Sequence, residues 1–275
     1  MKTRIISGLL MAPLLVLVFL GGYCITAVGF LIAVVGIKEL FNGFRAMDVK
    51  PSYPIAVISI IMLYGINIIS GKCMNLSDAA MKELYLLWIF ASVLMSMLYL
   101  FKIEERNLSD GMSTITGIMY VGFFSYHAVM AEDAFGDKCN FSPVWLIIAT
   151  AFVTDICAYF GGYFLGKHKL CPVISPKKTI EGSVSGILGT VIVTMLIGYF
   201  MMDSSKLLWY AAIGIAGGIV SQLGDLTASI FKRKMGIKDY GTLIPGHGGI
   251  MDRFDSVLFT APMVYYIMQL MYGVQ

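Results

Sequence analysis

The chain has 275 residues, of which 58% are apolar and only 13% charged, with a mean hydropathy of +0.80. A soluble domain averages about 45–50% apolar and about 25% charged residues. Too little polar surface is therefore present to cover a water-soluble globule, and a disordered chain or a disulfide-stapled secreted domain is excluded as well. What is left is an all-α, polytopic integral membrane protein, in which the placement of charge matters more than the net +3.

Nine apolar segments follow one another: Ile5–Leu20, Tyr23–Ile37, Ile55–Ile69, Leu84–Phe101, Met112–Met130, Pro143–Leu165, Ser183–Met202, Leu207–Phe231 and Ser256–Tyr272. Most match the roughly 20 helical residues that a bilayer core requires. The first is short, and Gly21-Gly22 predicts a tight helical hairpin joining it to the second. It follows Lys2 and Arg4 as a secretory signal would, but no small-residue cleavage site comes after it. With nine spans, all of the 20 basic residues except Lys72, Lys82, Lys138 and Lys206 fall on the side of the N-terminus. The positive-inside rule makes that side cytoplasmic. No internal repeat stands out, and the chain divides into N-terminal membrane helices (1–140) and a part richer in polar motifs (141–275). Five cysteines without a CxxC suggest no zinc site. Cys73 and Cys139 fall in outer loops, where a disulfide and separate thiols both stay open.

Ionisable residues inside spans are costly, so they point to function or to helix–helix hydrogen bonding. Asp155 lies near the middle of the sixth segment and Asp225 in the cytoplasmic half of the eighth. Around Asp225, the residues Ser221, Ser229 and Lys232 share one helical face. The loop that follows carries Arg233, Lys234, Lys238, Asp239 and Gly241, then Pro245-Gly246-His247-Gly248-Gly249, then Asp252, Arg253 and Asp255. A basic juxtamembrane loop accounts for the cations. It does not account for three Asp and a His packed among four glycines; the three around His247 (Gly246, Gly248 and Gly249) let a backbone turn sharply and approach a ligand. After the sixth segment a second cluster reads Gly166-Lys167-His168-Lys169, then Ser175-Pro176-Lys177-Lys178-Thr179-Ile180-Glu181-Gly182. Ser175 before Pro176 is expected to start a helix. Gly162-x-x-x-Gly166 and Gly214-x-x-x-Gly218 are small-residue spacings that favour close helix packing and leave a homodimer open. His127 is expected to be a satisfied hydrogen-bonding partner between helices. Many cations beside carboxylates at one membrane face suit phosphate oxygens together with Mg²⁺, which reads as metal-assisted phosphoryl or nucleotidyl transfer to a lipid headgroup.

The stretch Ser229-x-x-Lys232-Arg233-x4-Lys238-Asp239-x-Gly241-x3-Pro245-x-His247-Gly248-Gly249-x-x-Asp252-Arg253-x-Asp255 closely resembles the motif of the phosphatidate cytidylyltransferase (CDP-diacylglycerol synthase) family. The upstream elements Asp155-x-x-Ala158-Tyr159, Gly166-Lys167 and Ser175-Pro176-Lys177-Lys178-Thr179-x-Glu181-Gly182 look like the same family. The resemblance implies that CTP and phosphatidic acid react to CDP-diacylglycerol and pyrophosphate, in the plasma membrane, with the site facing the cytoplasm. It implies Asp225 and Asp252 as holders of Mg²⁺, with K⁺ as a second ion. Lys232, Arg233, Lys238 and Arg253 are then expected to bind the phosphates, Asp239 and Asp255 to orient those cations or a metal-bound water, and His247 to hydrogen-bond a phosphate or the base. Lys177 and Lys178 are expected to hold the lipid phosphate or the nucleotide. Asp155, Ser175, Thr179, Glu181, Ser229, Gly248 and Gly249 complete the expected substrate site. No nucleic-acid partner is expected.

Two rival readings remain at this stage. A CTP-dependent polyprenol or lipid kinase would use similar groups with another acceptor. An ion-coupled transporter would use Asp155 and Asp225 as coupling sites, although such sites usually lie at the midplane between broken helices.

Overall fold

The structure is a computed structural model that describes residues 16–69, 77–243, 246 and 248–273. Nine helices of eight or more residues are found among them: α1 (Tyr23–Arg45), α2 (Tyr53–Ile66), α3 (Asp78–Leu98), α4 (Leu108–Gly117), α5 (Phe124–Phe135), α6 (Pro143–Leu165), α7 (Ile180–Met201), α8 (Leu207–Lys234) and α9 (Met251–Tyr272). A π-helical turn, Ile118–Phe123, joins α4 to α5, so the fifth apolar segment forms one irregular rod. Among the described residues, six helices are long and apolar enough to cross a membrane: Tyr23–Arg45, Ala79–Phe101, Leu108–Lys138, Pro143–Leu165, Ile180–Met201 and Ser204–Lys234. Tyr53–Ile69 is apolar but shorter, and the 22-residue α9 carries Asp252, Arg253 and Asp255 near its start. Most of the first segment lies outside the described residues. Its last residues, 16–20, are helical, and the chain turns at Gly21 (φ 71°) and Gly22 (φ 51°) before α1. Positive φ at two successive positions is a conformation that glycine adopts without penalty, which is why the pair ends one helix and starts the next.

The helices pack through two means. Around α1 to α5, large apolar side chains interlock: Phe41, Ile60, Trp88, Val121 and Tyr126 are sealed from solvent, and the Trp88 indole donates to the Ser59 carbonyl at 2.7 Å. Around α6 to α8, small residues dominate. The buried stripe of α7 is Gly182, Gly186, Thr190, Thr194 and Gly198, a spacing of four that keeps one face. A Cβ at Gly198 would overlap the Tyr210 ring, and one at Gly186 would touch Ala158 and Thr154 of α6. Thr154 and Thr190 share a hydroxyl hydrogen bond at 2.7 Å, and Thr194 donates to the Tyr210 carbonyl at 2.9 Å. Gly214 and Gly218 of α8 pack on Val191 and Ile187, and Gly162 lies against Thr179 and Gly182. Both small-residue spacings are thus accounted for by packing within one chain. The opposite face of α7 exposes Val184, Leu188, Ile192, Leu196 and Phe200, a surface suited to lipid. His127 is satisfied by the Phe123 carbonyl (2.9 Å) and the Tyr266 hydroxyl (3.4 Å), as expected for a residue between helices. Cys139 lies near the Tyr272 hydroxyl at 3.3 Å; Cys73 is outside the described residues.

One local expectation is corrected. Ser175 does not start a helix. Lys169–Cys171 (β1) and Ser175–Thr179 (β2) form an antiparallel hairpin, with Lys169 opposite Thr179 and Cys171 opposite Ser175. Helix α7 begins at Ile180, capped by the Thr179 hydroxyl, which accepts from the Gly182 N–H at 3.2 Å. A Thr cap satisfies an amide that would otherwise lack a partner, so the cap lies four residues beyond Ser175.

Candidate active site

Alternation along β2 separates its two lysines. Successive side chains of a strand point to opposite faces, so Lys177 is exposed, whereas Lys178 is only 25% exposed and ion-paired with Asp225 of α8. Two turns further along α8, Lys232 reaches across to Asp252 of α9 at 2.8 Å. The other oxygen of Asp252 accepts N–H bonds from Tyr240 (2.8 Å) and Gly249 (2.9 Å). This carboxylate therefore ties the middle (Tyr240) and the end (Gly249) of the connecting loop to the start of α9. Asp255, one turn on, is buried, and Ser256 donates to Asp155 of α6 at 3.3 Å. Asp155 lies within electrostatic range of Asp225, Lys178 and Arg253, and Asp255 within range of Asp225, Lys232 and Asp155. The site thus gathers residues from β2, α6, α8 and α9. It borders a cavity of about 490 Å³ lined at its polar end by Asp155, Asp252, Arg253 and Asp255 and otherwise by apolar groups such as Val28, Ile32, Ile148 and Phe152.

Not every expected residue joins this centre. Arg233 is exposed but lies in the last turn of α8, which runs past Phe231 to Lys234, and not in the loop; Lys238 and Asp239 are exposed on the loop itself, and Ser229 and Ser175 are half-buried. Thr179 caps α7. Glu181 accepts from the Lys167 N–H (3.0 Å), the His168 N–H (3.2 Å) and the His168 ring (2.6 Å), so it closes the turn between α6 and the hairpin. His247 lies outside the described residues. Tyr240 sits behind the loop, where its hydroxyl donates to the Ala228 carbonyl at 3.1 Å, and burial raises its pKa, so the phenol stays protonated.

One participant was not among the expected residues. Glu39 of α1 is 7% exposed. Its carboxylate accepts from the Ile250 N–H (3.1 Å) and the Met251 N–H (2.9 Å), at the start of α9. An anion there satisfies amides that have no partner within the helix and lies at the positive end of its dipole. A Cβ at Gly241 or Gly249 would collide with the same carboxylate. These two glycines make room for Glu39; of the two, the sequence pointed only Gly249 toward close approach of a ligand. Gly248, at φ 86°, is placed against the Asp252 side chain. The signal that could have found Glu39 was a carboxylate next to an apolar run; the run was ended at Ile37, although the helix continues to Arg45.

Among the described residues, no three Asp, Glu, His or Cys side chains stand together as a ready-made metal-ligand set. The donors nevertheless suit a hard cation. Asp225 offers carboxylate oxygens at a partly open position, and the Lys178 ammonium already sits on it as a positive charge. Mg²⁺ commonly binds through one or two carboxylates together with substrate phosphate and water. Asp252 fits less directly, because both its oxygens are engaged.

A bundle with six membrane-length helices, and a site of paired lysines and carboxylates bordering an apolar cavity, defines an integral membrane protein built to handle a charged group next to lipid. Within that class the chain belongs to the cytidylyltransferase family, whose model matches residues 2–271. It is similar to the phosphatidate cytidylyltransferase of Synechocystis sp., with 32% identity covering 98% of this chain and 96% of that protein. It is likewise similar to the phosphatidate cytidylyltransferases of Staphylococcus haemolyticus (33%, 95% of each chain) and Staphylococcus saprophyticus (35%, 96% of this chain and 97% of that one).

Proposed function

We propose that the chain transfers the cytidylyl group of CTP to phosphatidic acid, giving CDP-diacylglycerol and pyrophosphate. The observation that carries this reading is the meeting of the Lys178–Asp225 and Lys232–Asp252 pairs beside a cavity with an apolar interior and Arg253 at its polar end. A lipid phosphate fits the polar end and its glycerol and acyl groups the apolar part, while the triphosphate approaches from the exposed loop. A phosphate oxygen of the lipid attacks the α-phosphorus of CTP. The bond from that phosphorus to the oxygen bridging to the β-phosphate breaks, and pyrophosphate leaves with the bond's electron pair. No strong general base is needed, because phosphatidate is already an anion near neutral pH. Lys178, Lys232 and Arg253 balance the charge that builds on the phosphoryl oxygens, with Arg233 from the end of α8 and Lys238 from the loop surface reaching the triphosphate. Bound Mg²⁺, with K⁺ beside it, would polarise the phosphoryl oxygens, and Asp225 and Asp252 would hold it.

The excess of basic residues in the loops on one side supports a cytoplasmic N-terminus and site, in a plasma-membrane protein of about nine spans. The test is pyrophosphate release by the purified protein in detergent, omitting CTP, Mg²⁺ or phosphatidic acid in turn. Release that needs all three, with CDP-lipid formed in equal amount, is expected. CDP and a phosphorylated alcohol without CDP-lipid would replace this reading with a kinase, and solute counterflow in liposomes without CTP would replace it with a transporter.

A further inference from the structure

A second cavity, of about 400 Å³, is lined by Arg45, Lys50, Tyr53, Tyr99 and Arg106, with Pro51 and Pro54 in its wall. It lies at the same end of the bundle as the candidate active site but shares none of its residues. Helix α1 connects the two, carrying Glu39 into the site loop and Arg45 into this cavity, while Met235 and Ile237 of that loop pack against Gly43. Four helix ends meet here: α1 ends at Arg45, α2 begins at Tyr53, α3 runs through a 3₁₀ turn to Phe101, and α4 begins at Leu108.

The walls are held in place. The Lys50 N–H donates to Asp110 at 2.7 Å, the Ser52 N–H to Thr114 at 2.9 Å, and the Tyr99 hydroxyl to the Lys50 carbonyl at 3.1 Å. Two prolines restrict the same loop. The Arg106 guanidinium lies over the Tyr99 ring at 4.4 Å, and its Nε is sealed from solvent with no hydrogen-bond partner among the described residues. The lining includes three cations and no carboxylate. Asp110 is buried behind it, engaged by the backbone N–H groups of Lys50 and Asn107.

The positive-inside rule explains why cations are present at this end. It does not explain why three of them, from three different segments, converge on one concavity, where they repel one another. An anion between them would offset that repulsion, and a planar guanidinium pre-set on an aromatic ring suits phosphate oxygens. The surroundings indicate how the phosphate is presented. Met47, Phe101, Ile103 and Leu108, on the segments that form this end, expose large apolar side chains (45%, 80%, 83% and 70%). Exposed apolar groups alongside cations at helix ends belong in the headgroup layer of a bilayer.

We propose that this cavity binds the phosphate of an anionic phospholipid headgroup, at a position separate from the reaction centre. The experiment uses the full-length protein in detergent, challenged with phosphatidylglycerol, with phosphatidylcholine and with inorganic phosphate, and reads lipid retention by native mass spectrometry. Each interfacial cation contributes about 1 kcal/mol, so Lys50→Gln and Arg106→Gln should each lower the affinity for phosphatidylglycerol roughly fivefold. CDP-lipid formation at saturating substrate and the unfolding temperature should stay near those of the unmodified chain. If Arg106→Gln unfolds, Lys50→Gln and Arg45→Gln carry the test. Equal retention of phosphatidylglycerol and phosphatidylcholine, or retention unchanged in the variants, overturns the proposal. Displacement of the lipid by millimolar inorganic phosphate overturns its lipid part, since the cavity would then be a site for the free anion.

Discussion

Glu39 offers the sharpest test of how the site loop is held, because its role rests on two N–H bonds and two steric contacts. In Glu39→Gln the amide oxygen can accept from one of Ile250 and Met251, but the new NH₂ then faces the other donor. A buried N–H left without a partner costs about 1–3 kcal/mol, and loss of the anion at the start of α9 adds about 0.3–1 kcal/mol. Some of this is recovered, because a buried carboxylate is itself expensive. A net local cost of about 1–3 kcal/mol is expected. It falls on the Gly248–Asp252 segment, so turnover should drop about 5- to 100-fold while overall unfolding changes little. Gly249→Ala tests the steric half. Residue 249 does not have a positive φ, so the backbone tolerates alanine, and the nearest atoms an added Cβ would meet belong to the Glu39 carboxylate, which two hydrogen bonds hold in place. In a Glu39→Ala background that conflict is gone. The double variant should therefore lose less activity than the product of the single losses, with a coupling of about 1 kcal/mol or more. Turnover and unfolding temperature of the four proteins in one detergent are sufficient to measure it. Independent, multiplicative effects, or a Glu39→Gln enzyme with unchanged turnover, would refute the assignment of Glu39 as a positioning residue.

Other substitutions separate the remaining roles. Asp225→Asn should lower turnover at least 100-fold, yet leave the unfolding temperature nearly unchanged, since a partly exposed pair such as Lys178–Asp225 contributes under about 1 kcal/mol; near-normal turnover would remove Asp225 from the reaction. Lys178→Ala should reduce kcat/KM about tenfold or more, whereas Lys177→Ala, on the outer face of β2, should raise KM for one substrate with little change in kcat; equal effects of the two in steady-state assays would contradict the strand alternation. Gly198→Ala should destabilise the α7–α8 seam by about 1–3 kcal/mol, because the added methyl meets the Tyr210 ring in a packed interior; thermal unfolding that is unaltered would show that the ring can move aside.

The parts of this molecule that were legible in the sequence are those that short-range chemistry dictates. Long apolar runs become helices because a bilayer leaves the backbone no other partner for its amides, and the Gly21-Gly22 pair marks a break because both residues need positive φ. Asp225 and Asp252 stood out because charged residues persist in an apolar chain only for a reason, and the structure pairs them with Lys178 and Lys232. What could not be read were the long-range partners. Glu39 lies more than 200 residues before the amides it binds, and nothing around it signals that distance. The hairpin at Ser175–Thr179 was hidden for a related reason: Ser-Pro is as good a helix start as a strand entry, and the choice was made by Thr179, which caps α7. The glycines of the 241–249 loop carry the same lesson. A glycine shows that something comes close to the backbone, and only the fold tells whether it is a ligand or, as at Gly241 and Gly249, a carboxylate from the opposite end of the chain. The N-terminal helices, which no chemical motif marks, are therefore bound to the candidate site, and a segment beginning at residue 141 would hold the proposed site residues without Glu39, the carboxylate that accepts from the first amides of α9.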